Sequence, residues 1–289
     1  MAHVFDAAKR SEFFDRVFAP TQLDLLKKGE ITHLHPRDLI LLNILGEHPA
    51  GCRILDYGCG QGRLLGELLK RGYDAYGYEP SQGMADVATQ HFVPEAQGRI
   101  LVGADDVLAK LAGEKYDLVL LMGVMQYLSE DERAEVFLRC RAYLRPGGTL
   151  IATFQNGLFD LFTFNKYSVD AIVNMLLAGH LSDREAAEVQ RAIEGLLTHP
   201  AEPAHSVWRA RDNIYVKLNN PLTITEDLAQ HGFVLSRRWF YEWFGLPPLA
   251  MGTLSETGKR IKAEFEVTNA EDWRGHFMAN AFLVTAHAG

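Results

Sequence analysis

The residues best suited to chemistry lie in one short run, Asp56-Tyr57-Gly58-Cys59-Gly60-Gln61-Gly62. Glycines at alternate positions let the backbone turn tightly and let a ligand lie directly against the main chain, since no Cβ intervenes. A dinucleotide-binding loop needs the spacing G-x-G-x-x-G. Here the third glycine fails in both registers, because Arg63 follows from Gly58 and Leu65 from Gly60. Asp56 also puts a carboxylate where a pyrophosphate would have to lie, and so favours a ligand with a positive charge. Glu79, some twenty residues on, is an acidic side chain of the kind that accepts both hydroxyls of a ribose. Together these residues ask for a ligand with a ribose, a cationic end and no phosphates.

Such residues must be positioned by regular elements. Arg53 to Tyr57 reads as a short apolar strand running into the glycines, Leu64 to Leu69 as a helix, and Ala75 to Tyr78 as a second strand ending at Glu79. Met84 to His91 reads as a helix and Ile100 to Val102 as a third strand. Tyr116 to Met122 is apolar at every residue after Asp117, which predicts a strand covered on both faces, and Asp117 itself reads as structural. Ser129-Glu130-Asp131-Glu132 is a capping box that opens a helix running to about Tyr143. Pro146-Gly147-Gly148 predicts a turn before the strand Thr149 to Phe154, with further strands at Phe233 to Leu235 and Ala281 to Thr285. Strands alternating with helices at this spacing predict an α/β fold: a Rossmann-like, mostly parallel seven-stranded sheet with helices on both faces. Residues 1–50 read as N-terminal helices. Residues 157–220, with a second capping box at Ser182 to Glu185, read as a helical insertion that stops before Pro200. The expected organisation is thus 51–156 with 221–289 as the ligand-binding domain, and 1–50 and 157–220 as a cap over it.

At this point the sequence resembles the class I S-adenosylmethionine (SAM)-dependent methyltransferases, over roughly residues 50–155. The matching pieces, in order, are Leu55 to Gly62, Glu79, Ala104-Asp105-Asp106, Tyr116 to Val119, and Leu144-Arg145-Pro146-Gly147-Gly148. The resemblance implies SAM as cofactor, bound by Asp56, Gly58, Cys59, Gly60 and Gly62, with Glu79 and the adjoining Pro80 at the ribose. It implies that Asp105 or Asp106 accepts a hydrogen bond from the adenine amino group. The backbone around Met122 and Gly123 lines the methionine end, where Arg37 is a candidate for the carboxylate. Related enzymes often carry a His soon after the fourth strand. Here Gln126 and Tyr127 occupy that stretch, and Gln126 cannot take a proton.

The acceptor is less legible. His205 and Tyr127 are the candidate catalytic groups, with Gln126, Asn156, Arg209 and Arg211 as candidate substrate contacts and Asp160 nearby. The two arginines suit an anionic group. The aromatic run from Arg238 to Phe244 reads as core plus pocket wall. These features favour methyl transfer to a small molecule, at oxygen. Transfer to nitrogen or carbon, and a SAM-binding protein without catalysis, stay open.

Composition agrees with a soluble enzyme of the cytoplasm. The 289 residues carry 29 Lys and Arg against 37 Asp and Glu, a net charge of -8, so the basic excess of a nucleic-acid binder is missing. Three cysteines without Cys-x-x-Cys spacing argue against a disulfide framework or a zinc site, and no metal is expected. The first eighteen residues alternate charges with aromatics, unlike a signal peptide, and no apolar run approaches a membrane span. Nothing in the sequence speaks to oligomeric state.

Overall fold

In a computed structural model of the chain, the residues described are 7–28, 35–92, 98–103, 107, 110–111, 113–163, 168–177, 179–196, 216–247, 255–268 and 270–289. Eight strands form one sheet: β1 (Arg53–Tyr57), β2 (Asp74–Glu79), β3 (Ile100–Val102), β4 (Tyr116–Leu121), β5 (Leu144–Asn156), β6 (Leu218–Asn219), β7 (Phe233–Trp243) and β8 (Ala279–Ala288). Their order is β3-β2-β1-β4-β5-β8-β7, with β6 pairing β5 off this path. The β2–β1, β1–β4, β2–β3, β4–β5 and β5–β6 pairs are all parallel. Order reverses between β1 and β4, and open α/β sheets bind their ligands at that switch point, beyond the carboxyl ends of the strands.

The chain divides into two compact units. The first holds Met1–Thr153, Glu226–Arg237 and Val284–Gly289; the second holds Phe154–Thr225 and Arg238–Leu283. Strands β5, β7 and β8 each begin in one unit and end in the other.

In the first unit the core lies on the central strands. Ile54 and Leu55 of β1 and Leu118 to Leu121 of β4 are inaccessible to solvent, as the unbroken apolar run predicts for a strand covered on both faces. Asp117 is structural, as expected: it accepts a hydrogen bond from the Arg53 N–H (2.7 Å) and pairs with Arg145, tying β4 to β1 and β5. The helix Pro36–Leu45 has Pro at its first turn and a capping box between His35 and Asp38, which fixes Arg37 on its first turn. Ser129 and Glu132 form the expected box at the start of the helix Glu130–Tyr143.

Two sequence expectations are refined. Pro146-Gly147-Gly148 is not a separate turn; it lies within β5, whose pairing with β4 shifts register between Tyr116 and Leu118. The irregularity absorbs Gly147 at φ 75° without ending the strand. β6 lies in a stretch read as helical, and two residues are too few to carry a period.

In the second unit the aromatic run is the outer half of β7. Trp239, Phe240, Tyr241 and Trp243 are buried, with Trp243 stacked on Phe265 at 4.9 Å and Phe240 against Phe282 at 6.2 Å. The capping box at Ser182 and Glu185 opens the helix Asp183–Leu196 as expected.

Replacing Ser129 by Ala removes the hydroxyl that accepts the Glu132 N–H. Urea unfolding of the Ser129→Ala variant is expected to show a loss of about 1 kcal/mol with an unchanged m-value. Wild-type stability would mean that the box is idle.

Candidate functional site

The glycine loop begins where β1 ends and is tied to the end of β2 by its own backbone. The N–H groups of Gly58 and Cys59 both donate to the Tyr78 carbonyl, at 2.7 and 3.0 Å. Gly58, Gly60 and Gly62 all have positive φ, at 83°, 57° and 75°, where side chains are strained. Space is short as well. A Cβ on Gly58 would lie 2.5 Å from Val124 Cγ2, and one on Gly60 would lie 3.3 Å from Met84 Cε.

Glu79 closes the loop from the other side. Its Oε2 accepts the Gly60 N–H at 2.7 Å and its Oε1 accepts the Ser81 N–H at 2.9 Å. The carboxylate is buried, and each oxygen keeps a lone pair beyond these bonds. Pro80, beside it, is exposed.

Asp56, in β1 just before the loop, is buried, and its Oδ1 has no hydrogen-bond partner among the described residues. Charged neighbours surround it. Asp38, also buried, accepts the Arg63 Nη2 at 2.6 Å and the His35 N–H at 3.0 Å, with Arg37 Nε 3.5 Å from its Oδ1. Burial pushes the Asp56 carboxyl up to about 7; Asp38 and Glu79 add to the rise, while Arg37 and Arg63 oppose it. Glu79 is likewise pushed up to about 7 by burial, against the pull of the Ser81 and Gly60 N–H groups and with a small push from Asp15. A cation placed here would be stabilised by carboxyls that burial has left poorly compensated.

At the end of β4, Met122 is buried and Gly123 has φ 84°, its N–H donating to Thr153 Oγ1 at 2.7 Å. The Arg37 guanidinium lies against Gly123 so closely that a Cβ there would fall 2.5 Å from Nη1. Sequence reasoning placed Arg37 and Gly123 at the same end of the site, and the structure brings them into contact.

Met125–Tyr127 then forms a single 3-10 turn, with Met125 and Gln126 buried. Arg133 Nη1 donates to the Met125 carbonyl at 3.2 Å. Arg10 Nη1 donates to the Tyr127 carbonyl at 2.9 Å, and the same guanidinium forks onto Glu132 at 3.0 and 2.7 Å. Burial raises the Glu132 carboxyl, but Arg10 and the Ser129 bonds outweigh it and hold the group below its ordinary value. Phe14 meets the Tyr127 ring edge-on at 5.3 Å. On the β2 side, Asp15 Oδ1 accepts Ser81 Oγ at 2.6 Å and the Gly83 N–H at 3.2 Å. Ala19 packs with Met84 and Val87 in a small cluster edged by Phe14, Phe18 and Leu23.

Arg10 and Asp15 are the residues that sequence reasoning missed. Their signal was the alternation of charges with aromatics in residues 5–18, which names no partner.

Asp105, Asp106, His205, Arg209 and Arg211 lie outside the described residues. Asn156, expected as a substrate contact, belongs to the second unit and is engaged within it. Its Nδ2 donates to the carbonyls of Gly275, His276 and Ala279 (3.2, 2.9 and 2.8 Å), and its Oδ1 accepts the Leu158 N–H at 3.0 Å. Asp160 is buried in the same unit. Among the described residues no helix is long and apolar enough to cross a membrane, and no cluster of His, Cys, Asp and Glu could hold a metal.

Residues 54–148 match the family model of a methyltransferase domain. The chain is 26% identical over 157 residues to a ubiquinone biosynthesis O-methyltransferase of Acinetobacter baylyi, covering 52% of this chain and 65% of that protein. It is 32% identical over 132 residues to the protein of that name from Azorhizobium caulinodans, covering 45% and 50%. The chain therefore spans less than two thirds of the length of these curated relatives. Among solved structures, the phosphoethanolamine N-methyltransferase 2 of Haemonchus contortus with SAM superposes with a TM-score of 0.53 at 18% identity, covering 96% of this chain and 59% of that one. The magnesium protoporphyrin IX methyltransferase of Synechocystis with bound SAH gives 0.52 at 15% identity, covering 98% and 100%. These two establish the shared fold.

The raised carboxyls make stability pH-dependent. Unfolded carboxyls titrate near 4, roughly three units below the folded ones at about 7. Between these values the folded state holds more protons, and stability falls as pH rises. Asp56→Asn is therefore expected to be more stable than wild type at pH 8, by at least ~1 kcal/mol, with the difference clearly smaller at pH 4.5 and vanishing only below the unfolded value near 4. Urea unfolding at the two pH values measures it. An equal difference at both would show that Asp56 titrates normally.

Proposed function

We propose that this chain, whose central part belongs to the class I SAM-dependent methyltransferases, binds SAM in the glycine loop and methylates a small-molecule acceptor at oxygen. The observation that carries the reading is the buried Asp56 carboxyl, with Oδ1 unpartnered among the described residues, just before the loop of positive-φ glycines closed by Glu79. An orphaned buried carboxylate beside open backbone suits a ligand that is cationic at one end and carries a ribose. Bound there, SAM supplies a methyl group on a sulfonium that is already electrophilic.

The chain's own residues then hold and align. The remaining lone pairs of Glu79 accept the ribose hydroxyls, and the backbone of Gly58, Cys59, Gly60 and Gly62 lies against the ligand. Asp56 faces its cationic end. Arg37 takes the carboxylate beside Met122 and Gly123, Pro80 flanks the nucleoside, and Asp105 or Asp106 accepts from the adenine amino group. Gln126 and Tyr127 face the acceptor, with His205, or Tyr127 as its phenolate, receiving the proton of a hydroxyl. Arg209 and Arg211 hold an anionic group on it. Alignment in line with the methyl is the main contribution asked of the protein. The curated relatives support oxygen as the acceptor atom, since their names are those of O-methyltransferases. The net negative charge speaks for a small acceptor over nucleic acid. Three free cysteines fit the cytoplasm.

Calorimetry with SAM tests the cofactor. Gly60→Val is expected to abolish binding, and Glu79→Ala to weaken it by about 1–3 kcal/mol through lost charge-assisted hydrogen bonds. Unchanged affinity in a folded Gly60→Val variant would overturn the assignment. For the acceptor, labelled SAM is incubated with small-molecule, RNA and protein fractions, and the product is identified by NMR. Label is expected on an oxygen of a small molecule, and label on nitrogen, carbon or a polymer would correct that part of the reading.

A further inference from the structure

The strand order places β1 between β2 and β4. Any segment fastened to the residues after β2 and also to those after β4 must therefore cross the end of β1, where the glycine loop sits. Residues 7–27 are fastened at both places. On one side Asp15 accepts from Ser81 and Gly83, immediately past Glu79. On the other, Arg10 reaches the Tyr127 carbonyl and forks onto Glu132. The two clasps are of opposite charge and five residues apart on one helical segment, so neither can substitute for the other.

The Arg10 clasp does more than hold an end down. Tyr127 closes the 3-10 turn that carries Gln126, and Glu132 is the reciprocal member of the capping box that starts the next helix. One guanidinium thus fixes the carbonyl at the end of the turn and the first turn of the helix after it, while Phe14 supports the Tyr127 ring. Both members of the ion pair keep some exposure, 22% for Arg10 and 29% for Glu132, so water can replace these bonds when the helix lifts.

We infer that Arg10 is a positioning residue that couples closure of the N-terminal helix over the glycine loop to formation of the Met125–Tyr127 turn. The inference rests on the SAM reading above and adds an order to it. With the helix lifted, the cofactor enters and leaves and the turn is unsupported. With the helix down, the cofactor is covered and the acceptor side is built.

The test compares wild type with Arg10→Gln, Arg10→Lys and Arg16→Gln, using SAM itself as the probe. Among the described residues Arg16 pairs with Glu12 on the exposed face of the same segment, so its loss controls for charge and helicity. Stopped-flow displacement gives the rate of SAM release, and hydrogen exchange gives the protection of amides 125–129. Arg10→Gln is expected to release SAM about tenfold faster and to lose the SAM-dependent protection of that turn, as charge-assisted bonds of this kind are broken. Arg10→Lys, which keeps the charge but not the fork, is expected to fall between, and Arg16→Gln to match wild type. If wild type binds SAM while Arg10→Gln releases it at the Arg16→Gln rate with the turn still protected, the coupling is refuted and the cofactor reading stands. If wild type fails to bind SAM, both fall.

Discussion

The carboxylate of Glu79 is the joint on which the first unit's ligand end depends. It takes one N–H from the glycine loop and one from the residue that caps the next helix. In doing so it joins the end of β1 to the end of β2 and to the helix Gln82–Val87. Ser81, so placed, accepts the Met84 N–H and donates to Asp15, which brings the N-terminal helix down on the same corner. Loss of this carboxylate would therefore be felt at the loop, at the helix cap and at the N-terminal helix together.

That joint is built under tension. Asp56, Glu79 and Asp38 are all buried, and Arg37 and Arg63 offset only part of their mutual repulsion. Arg63 and the His35 N–H bond Asp38, and backbone N–H groups bond Glu79, which leaves Asp56 as the carboxyl with an unpartnered oxygen among these three. A fold optimised for stability alone would place an apolar residue there, since an uncompensated buried charge costs several times a normal surface substitution. Retaining the carboxyl makes sense if a positively charged ligand completes the set.

The sequence was most legible where chemistry and period coincide. The strands β1 to β4, the capping boxes at Ser129 and Ser182 and the glycine loop could all be read from local pattern, because each is dictated by neighbours in the chain. What could not be read is what depends on distant partners. Arg10 and Asp15 look like ordinary surface charges until the strand order brings the ends of β2 and β4 to either side of β1. Asn156 shows the converse. Its residue type and its place at the end of β5 suggested a ligand contact, and only the structure shows that its amide makes four bonds to the backbone around it. The glycine pair in β5 misled for a third reason, since a bulge and a turn call for the same residues. Only the pairing of β4 with β5 separates them.

The same buried charges bear on how a reaction at this site would turn over. On the proposed reading, methyl transfer removes the sulfonium charge, and the ligand beside Asp56 becomes less positive by one unit. The carboxyl, whose burial already brings its pKa close to neutral pH, then loses part of what kept it ionised. On that reading the ligand that best balances the buried carboxyls is the substrate form, and the product balances them less well. A site with fully paired carboxyls would distinguish the two forms less. The incomplete pairing of Asp56 is thus a physical basis for preferring the methyl donor over what remains of it, and it costs the unliganded fold some stability near neutral pH.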